Sequence, residues 1–141
     1  MKGGSFSRLL SGSTFLLAAA CAVAAADGFR TPSDNIHCLA ERWDGAAELR
    51  CDIRSNDAEI PARPSDCDLD WGSSFVVSDA PRPSIRGCAG DTVIDPASPI
   101  LHYGSKWEQH GFVCTIETSG VACGNRHGNG FTLSRKRQTL Q

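Results

Sequence analysis

Residues 36–53, IHCLAERWDGAAELRCDI, carry two cysteines at equal distances from a central Asp44-Gly45 dipeptide. Asp-Gly is a preferred pair for the two-residue loop of a β-hairpin, since both loop positions need a positive φ. With that loop, Cys38 faces Cys51 at a site without ladder hydrogen bonds, where facing side chains are closest. The segment therefore predicts a hairpin whose register allows a Cys38–Cys51 disulfide.

The predicted hairpin has one apolar and one charged face. The apolar face carries every second residue: Ile36, Cys38, Ala40, Leu49, Cys51 and Ile53. The opposite face carries Glu41, Glu48, Arg50 and Asp52. His37 is predicted to point to the charged side, away from the core. This alternation is typical of a sheet that covers a core with one face and meets water with the other.

The first 26 residues have the composition of a secretory signal peptide. Lys2 and Arg8 give a positive start, residues 9–23 are mostly apolar, and Ala24-Ala25-Ala26 is a small-residue cleavage site before Asp27. The apolar run is short and rich in Ala and Ser, so we expect no transmembrane segment after cleavage. The sequence thus predicts a signal peptide, residues 1–26, followed by a single domain, residues 27–141.

Cys21 lies inside this signal and allows a second interpretation. A lipoprotein signal would be cleaved before Cys21 and would carry the lipid there. The larger aliphatic residue expected three positions earlier is absent, because that position is Ala18. Lipid anchoring is therefore the minority alternative, and a secreted or periplasmic protein is the main prediction.

The mature region of 115 residues is long enough for one domain with a modest core. Without the signal it has 12 basic and 16 acidic residues, a net charge near −4. An acidic balance argues against a nucleic-acid partner, because phosphate binding needs a basic surface. The one basic cluster, residues 135–137, is predicted to be a solvated tail rather than a binding patch.

Six cysteines follow the signal: Cys38, Cys51, Cys67, Cys88, Cys114 and Cys123. An even number in an exported chain predicts a disulfide framework, although 15 pairings are possible in principle. No Cys-x-x-Cys motif and no zinc-finger spacing occurs, so no metal or cofactor is predicted. We expect sequential pairing, with Cys67 and Cys88 assigned to each other by elimination. That pair would close the Pro-rich residues 61–83 onto a strand near residues 91–94.

The C-terminal third predicts a second hairpin around Thr118-Ser119-Gly120. Residues 111–117 would pair with residues 121–123, so that Cys114 and Cys123 share a buried face. A third strand, residues 131–135, is predicted to return beside it. A three-residue loop, Gly128-Asn129-Gly130, is preferred over a two-residue turn, because it turns Phe131 and Leu133 toward the core.

Few residues in the chain suggest a reaction centre. Asp66, Asp68 and Asp70 alternate as at the start of a calcium loop, but Trp71 and Val77 stand where that loop needs Gly and Glu. The best candidate acid/base group is His110 with His127 and Asp91. Tyr103-Gly104 and Trp107 are either a ligand-facing patch or, as we favour, part of the core.

Several separate motifs together resemble a known family. They are FRTPSxNIxC from Phe29, LRCDI from Leu49, CxLDWG from Cys67, CAGDTV from Cys88, YGxxW from Tyr103 and GxGFxLSR from Gly128. The chain is similar, from Phe29 to Arg135, to a family of small exported bacterial proteins, many from actinobacteria, catalogued only as a domain of unknown function. The resemblance implies export, by secretion or a lipid anchor, and supplies no catalytic residues. Members often have His where this chain has Asn129.

These observations predict an all-β fold of mainly antiparallel hairpins, arranged as a small sheet or partly closed barrel and stapled by disulfides. The leading functional hypothesis is a non-enzymatic, monomeric module of the cell envelope or secretome that binds a protein or a cell-envelope component. One alternative is a small secreted hydrolase that uses His110, His127 and Asp91. Another is an inhibitor of a secreted enzyme such as a lysozyme.

Overall fold

The computed structural model describes residues 26–141, together with Met1 and Gly3. Most of the predicted signal peptide, including Cys21, therefore lies outside the described residues. Among the described residues, no helix has the length and apolar character needed to cross a membrane. The chain between residues 26 and 141 forms strands and loops without any α-helix.

Ten strands form two antiparallel sheets of five strands each. The first sheet contains β1 (Gly28–Arg30), β2 (Ile36–Trp43), β3 (Ala46–Ile53), β4 (Asp70–Ser78) and β5 (Ile85–Ala89). The second contains β6 (Ser105–Gln109), β7 (Phe112–Glu117), β8 (Gly120–Gly124), β9 (Gly130–Leu133) and β10 (Gln138–Leu140). Within each sheet the spatial order follows the chain order. The all-β prediction is confirmed, as two open sheets rather than a barrel.

The β2–β3 hairpin has the register that residues 36–53 predicted. Cys38 pairs with Cys51 across the strands, and the turn residues Asp44 and Gly45 have φ values of 48° and 80°. The Cα atoms of the two cysteines are 4.1 Å apart, the short spacing of a pair without ladder hydrogen bonds. All six residues of the predicted apolar face are buried.

The β7–β8 hairpin pairs Cys114 with Cys123, and its loop is only Thr118-Ser119 because Gly120 already belongs to β8. The next loop differs from the prediction: residues 125–129 connect β8 to β9, and Gly130 is a strand residue. The Asn125 side chain closes this longer loop, because its Oδ1 accepts hydrogen bonds from the backbone N–H groups of His127 and Asn129. Phe131 and Leu133 still point into the core. A loop of five residues and a loop of three differ by two residues, so both direct these side chains to the same face of the sheet.

The two sheets share one hydrophobic core. The Cys38–Cys51 and Cys114–Cys123 disulfides meet at its centre, where the sulfur atoms of Cys38, Cys51 and Cys123 lie within 4.8 Å of one another. Aromatic rings join the sheets on either side. The ring centroids are 5.2 Å apart for Phe29 and Trp107 and 6.3 Å apart for Phe75 and Phe131. Trp107 is therefore a core residue, whereas Tyr103 is exposed.

The Cys67–Cys88 disulfide forms as expected, but outside this core. Cys88 lies on β5, and its side of the strand is exposed. The strand predicted near residues 91–94 is wrong, because those residues are a loop beyond the end of β5. This loop is held against the first sheet by side chains of the sheet rather than by ladder hydrogen bonds.

Candidate functional site

His110, His127 and Asp91 each bond to a different neighbour. The three contacts are His110 Nε2 with Asp27 Oδ1 at 3.0 Å, Arg126 Nε donating to His127 Nε2 at 3.2 Å, and Arg50 Nη1 donating to Asp91 Oδ1 at 2.6 Å. His110 in the β6–β7 turn and His127 in the β8–β9 loop lie at the same end of the second sheet. Asp91 follows the last strand of the first sheet. No hydrogen bond joins any two of the three within the described residues.

Asp91 belongs to an ion-pair network on the outer face of the first sheet. Arg50 bonds the Asp91 carboxylate and its backbone carbonyl, and also bonds both oxygens of Asp52. The hydrogen bond and charge of Arg50 lower the pKa of Asp91 below its ordinary value. Buried Asp52 in turn accepts hydrogen bonds from Thr92 Oγ1 at 2.9 Å and Val93 N at 3.0 Å. The network therefore attaches the loop after β5 to the sheet.

We call the loop after β5, residues 90–101, the strap. His37 and Arg30 hold its middle and its end. The His37 side chain is completely buried. Its Nδ1 accepts the backbone N–H of Asp95 at 3.2 Å, and its Nε2 lies 3.1 Å from Asp34 Oδ1. Arg30 exchanges backbone hydrogen bonds with Pro99 and Leu101. His37 thus points to the charged face, as predicted, but the strap covers this face.

Asp34 lies at the edge of a polar cavity of about 360 Å³ beside the β7–β8 loop. Its φ of 59° brings the carboxylate against the guanidinium groups of Arg30 and Arg54. Desolvation alone would raise the pKa of Asp34, but these arginines and His37 outweigh it and lower the pKa below the ordinary value. The two guanidinium groups favour the ionised carboxylate, which bridges β1 to the end of β3.

The described residues contain one group of three convergent metal-ligand side chains, and it is not a metal site. It consists of Cys38, Cys51 and Cys123, whose sulfur atoms are already bonded in disulfides. A bonded sulfur is not a thiolate and cannot act as a thiolate ligand. Asp66, Asp68 and Asp70 are exposed and do not form such a group.

A large open cavity of about 800 Å³, which we call the groove, lies where the ends of the two sheets meet. Its lining is mainly apolar and includes Pro61, Pro64, Trp71, Ile85, Leu140 and the Cys67–Cys88 disulfide. Ile85 is 58% exposed and Leu140 is also exposed. Large exposed apolar side chains that converge in one concave surface are typical of a binding site.

A β-bulge in β4 between Trp71 and Phe75 gives the groove its shape. Gly72 in the bulge has a φ of 113°, and a Cβ there would lie 2.8 Å from the side chain of Ile60. Trp71 Nε1 donates to the carbonyl of Pro61 at 2.9 Å, which ties the Pro-rich segment to the sheet. Arg86 supports the bulge from β5, because it donates to the Gly72 carbonyl and lies over the Phe75 ring.

The sequence does not mark this groove as a site. Trp71 belongs to the CxLDWG motif, but Pro61, Ile85 and Leu140 belong to none of the motifs. They lie on three separate segments that meet only because Cys67 bonds to Cys88 and the C-terminal strand returns beside Ser84. The available signal was the pairing of Cys67 with Cys88, which brings the Pro-rich segment against β5.

A model of a protein family described as a family of unknown function (DUF6636) matches residues 9–141. No curated protein and no solved structure matches the chain.

Proposed function

We propose a role for this chain from its own surface, because the chain belongs to DUF6636, a family of unknown function. The proposed role is a non-enzymatic, exported binding module of the bacterial cell envelope or secretome. The groove receives an extended segment of a partner protein. The observation that carries this proposal is the apolar cavity of about 800 Å³ with Ile85 and Leu140 exposed in it.

Two strand edges favour an extended peptide as the occupant. β5 is the last strand of the first sheet, and β10 is the last strand of the second. Ser84 N donates to the Gln141 carbonyl at 2.9 Å and holds the two edges together. An edge strand presents unpaired backbone groups that an added strand can bond, while adjacent apolar pockets take alternate side chains.

The charge of the chain favours a basic partner. The mature region has a net charge near −4, and Asp66 lies at the groove. The cationic Arg86 is already engaged by the Gly72 carbonyl and the Phe75 ring. A peptide with Lys or Arg beside apolar residues would therefore complement the groove, and electrostatic attraction would speed its association.

The groove is also rigid, so that its own side chains and loops lose little conformational entropy when a ligand binds. The Cys67–Cys88 disulfide forms part of its wall, and the Trp71–Pro61 hydrogen bond fixes the proline-rich side. A preorganised surface loses less conformational entropy when a ligand binds. This rigidity supports a recognition role for a site that lacks reactive groups.

The test is selection of peptides from a random library displayed on phage, against the oxidised protein. Ile85→Asp places a charge in the groove, and Ile100→Asp is the matched control because Ile100 is 45% exposed on the strap. We expect selected peptides to bind the wild type and Ile100→Asp equally and to lose at least about ten-fold in affinity with Ile85→Asp. Failure to select peptides, or equal binding by all three proteins, would contradict the proposal.

The hydrolase alternative has one supporting contact, the 3.0 Å approach of His110 Nε2 to Asp27 Oδ1. A His–carboxylate pair can act as an acid/base unit, but it needs a reacting group within hydrogen-bond reach. Turnover of any hydrolase substrate that disappears with His110→Ala would favour this alternative. A basic secreted enzyme such as a lysozyme, added to the peptide-binding assay as a competitor, tests the inhibitor alternative.

A further inference from the structure

A third cavity, of about 320 Å³, lies on the outer face of the first sheet. Its floor is formed by Asp52 of β3 and Ser74 of β4, and the start of the strap closes one side. Trp71 lines both this cavity and the groove. The cavity is polar, and its volume is at the lower end of the range for small-ligand sites.

The polar groups of the floor are satisfied within the protein, with one exception. The Asp52 carboxylate accepts four hydrogen bonds, from Arg50, Thr92 and Val93. Ser74 is only 7% exposed, and its Oγ has no hydrogen-bond partner. Buried hydroxyl groups are ordinarily paired, and an unpaired one is costly. Because Ser74 also lines the cavity, its unpaired hydroxyl offers one hydrogen-bonding group beside the ligand space.

The rim of the cavity carries one positive and one negative side chain that are free to bind a ligand. The side chains of Arg63 and Asp70 are exposed and make no ion pair or hydrogen bond within residues 26–141. A guanidinium donates and a carboxylate accepts, so together they suit a ligand whose groups do both. Trp71 also lines the cavity and adds an apolar ring surface.

We propose that this cavity binds a neutral polyhydroxylated ligand, such as a sugar ring, with a ligand hydroxyl paired to Ser74 Oγ. Hydroxyl groups both donate and accept, which matches Arg63, Asp70 and Ser74 together. The apolar face of a sugar ring suits Trp71. An anion is disfavoured because three carboxylates, Asp52, Asp70 and Asp91, line the cavity.

This site is separate from the peptide groove, although Trp71 borders both, so the residues substituted in its test, Asp70 and Ser74, line only the polar cavity. The probes are cellobiose, maltose and N,N′-diacetylchitobiose, titrated into the oxidised protein and followed by NMR and calorimetry. We expect at least one disaccharide to bind and to shift the signals of Ser74 and the Trp71 indole. Asp70→Asn should weaken that binding about ten-fold, whereas Asp68→Asn, exposed and outside the cavity, should leave it unchanged.

Ser74→Ala separates a ligand role from a structural one. Because the hydroxyl has no partner, its removal should leave the free energy of unfolding unchanged or higher, while disaccharide affinity falls about ten-fold. The proposal is overturned if no disaccharide binds at about millimolar concentration, or if Asp70→Asn and Ser74→Ala bind as the wild type does. Binding of inorganic phosphate in place of the sugars would overturn it as well.

Discussion

At the scale of single residues, the buried His37 and Asp52 side chains of the first sheet have structural partners. His37 and Asp52 are both buried, yet each bonds backbone N–H groups of the strap, at Asp95 and Val93. Burying a polar group is costly unless it is hydrogen-bonded, so these contacts offset the cost of removing the two side chains from water. Asp91, an initial catalytic candidate, acts beside them as a partner of Arg50.

Asp91 makes the stability of the protein depend on pH in one direction. Its pKa is lowered from the model-compound value of 3.8 by Arg50, so the folded state favours the ionised form. The stabilisation is present above the unfolded pKa and is lost as the pH falls through the lower folded pKa. Asp91→Asn should therefore be less stable than the wild type at neutral pH, and this difference should shrink below about pH 4.

Urea unfolding of both proteins between neutral and acid pH measures this difference. Asp34, whose pKa is also lowered, is present in both proteins and cancels in the comparison. Asp68→Asn is the control, because Asp68 is an exposed carboxylate that lies outside the strap and does not contact Arg50. A stability difference for Asp91→Asn that stays constant down to acid pH would contradict the role of the ion pair.

At the scale of elements, the three disulfides join segments in two different environments. Cys38–Cys51 and Cys114–Cys123 cross-link hairpins inside the core, with all four residues buried. Cys67–Cys88 joins the Pro-rich segment to an edge strand, and Cys88 is exposed. The hairpin disulfides stabilise the fold, whereas the third also stabilises the wall of the groove.

The Cys67–Cys88 disulfide should be reduced first, because Cys88 is exposed although Cys67 is buried. A mild phosphine or dithiol reductant should open Cys67–Cys88 before the core disulfides, because thiol exchange requires access to sulfur. Alkylation and peptide mass spectrometry identify which cysteines react. The double variant Cys67→Ala, Cys88→Ala should lose about 3 kcal/mol of stability and keep both hairpins. Equal labelling rates at all six cysteines would show that exposure does not control the order.

At the scale of the whole molecule, two sheets cover one core and leave two concave surfaces outside it. The inner faces bury the alternating apolar residues of both hairpins. The groove lies where the edges β5 and β10 meet, and the polar cavity lies between the first sheet and the strap. The core therefore provides the rigid scaffold, and recognition is expected at these two places.

The mature molecule is predicted to begin at Asp27 with all six remaining cysteines paired. Asp27 is already held in the fold, because its carbonyl accepts the Ala40 N–H at 2.8 Å and its carboxylate contacts His110. Mass spectrometry of the exported protein under non-reducing conditions should give the mass of residues 27–141 less six hydrogens. A chain that begins at a lipid-modified Cys21 would contradict this prediction and support the anchored alternative.

Cys67–Cys88 was assigned only by elimination, whereas the sequence alone was sufficient for the register of the β2–β3 hairpin and for the disulfide pairs of both hairpins. These features depend on turn residues and on the alternation of side chains along one strand, which are local properties. Residues 36–53 illustrate this, because the spacing of Cys38 and Cys51 around Asp44-Gly45 leaves one facing arrangement. The β8–β9 loop shows the limit: alternation specified the face of Phe131 but not the loop length.

Only the tertiary structure decided what lies against each outer face and where the two sheets leave space. His37 looked solvated because its own strand is charged on that side, and the strap that buries it comes from nearly 60 residues later in the chain. Trp71, Ile85 and Leu140 form one groove for the same reason, since three distant segments meet there. Such contacts depend on how folded elements dock, and alternation within a strand carries no information about which distant segment covers it.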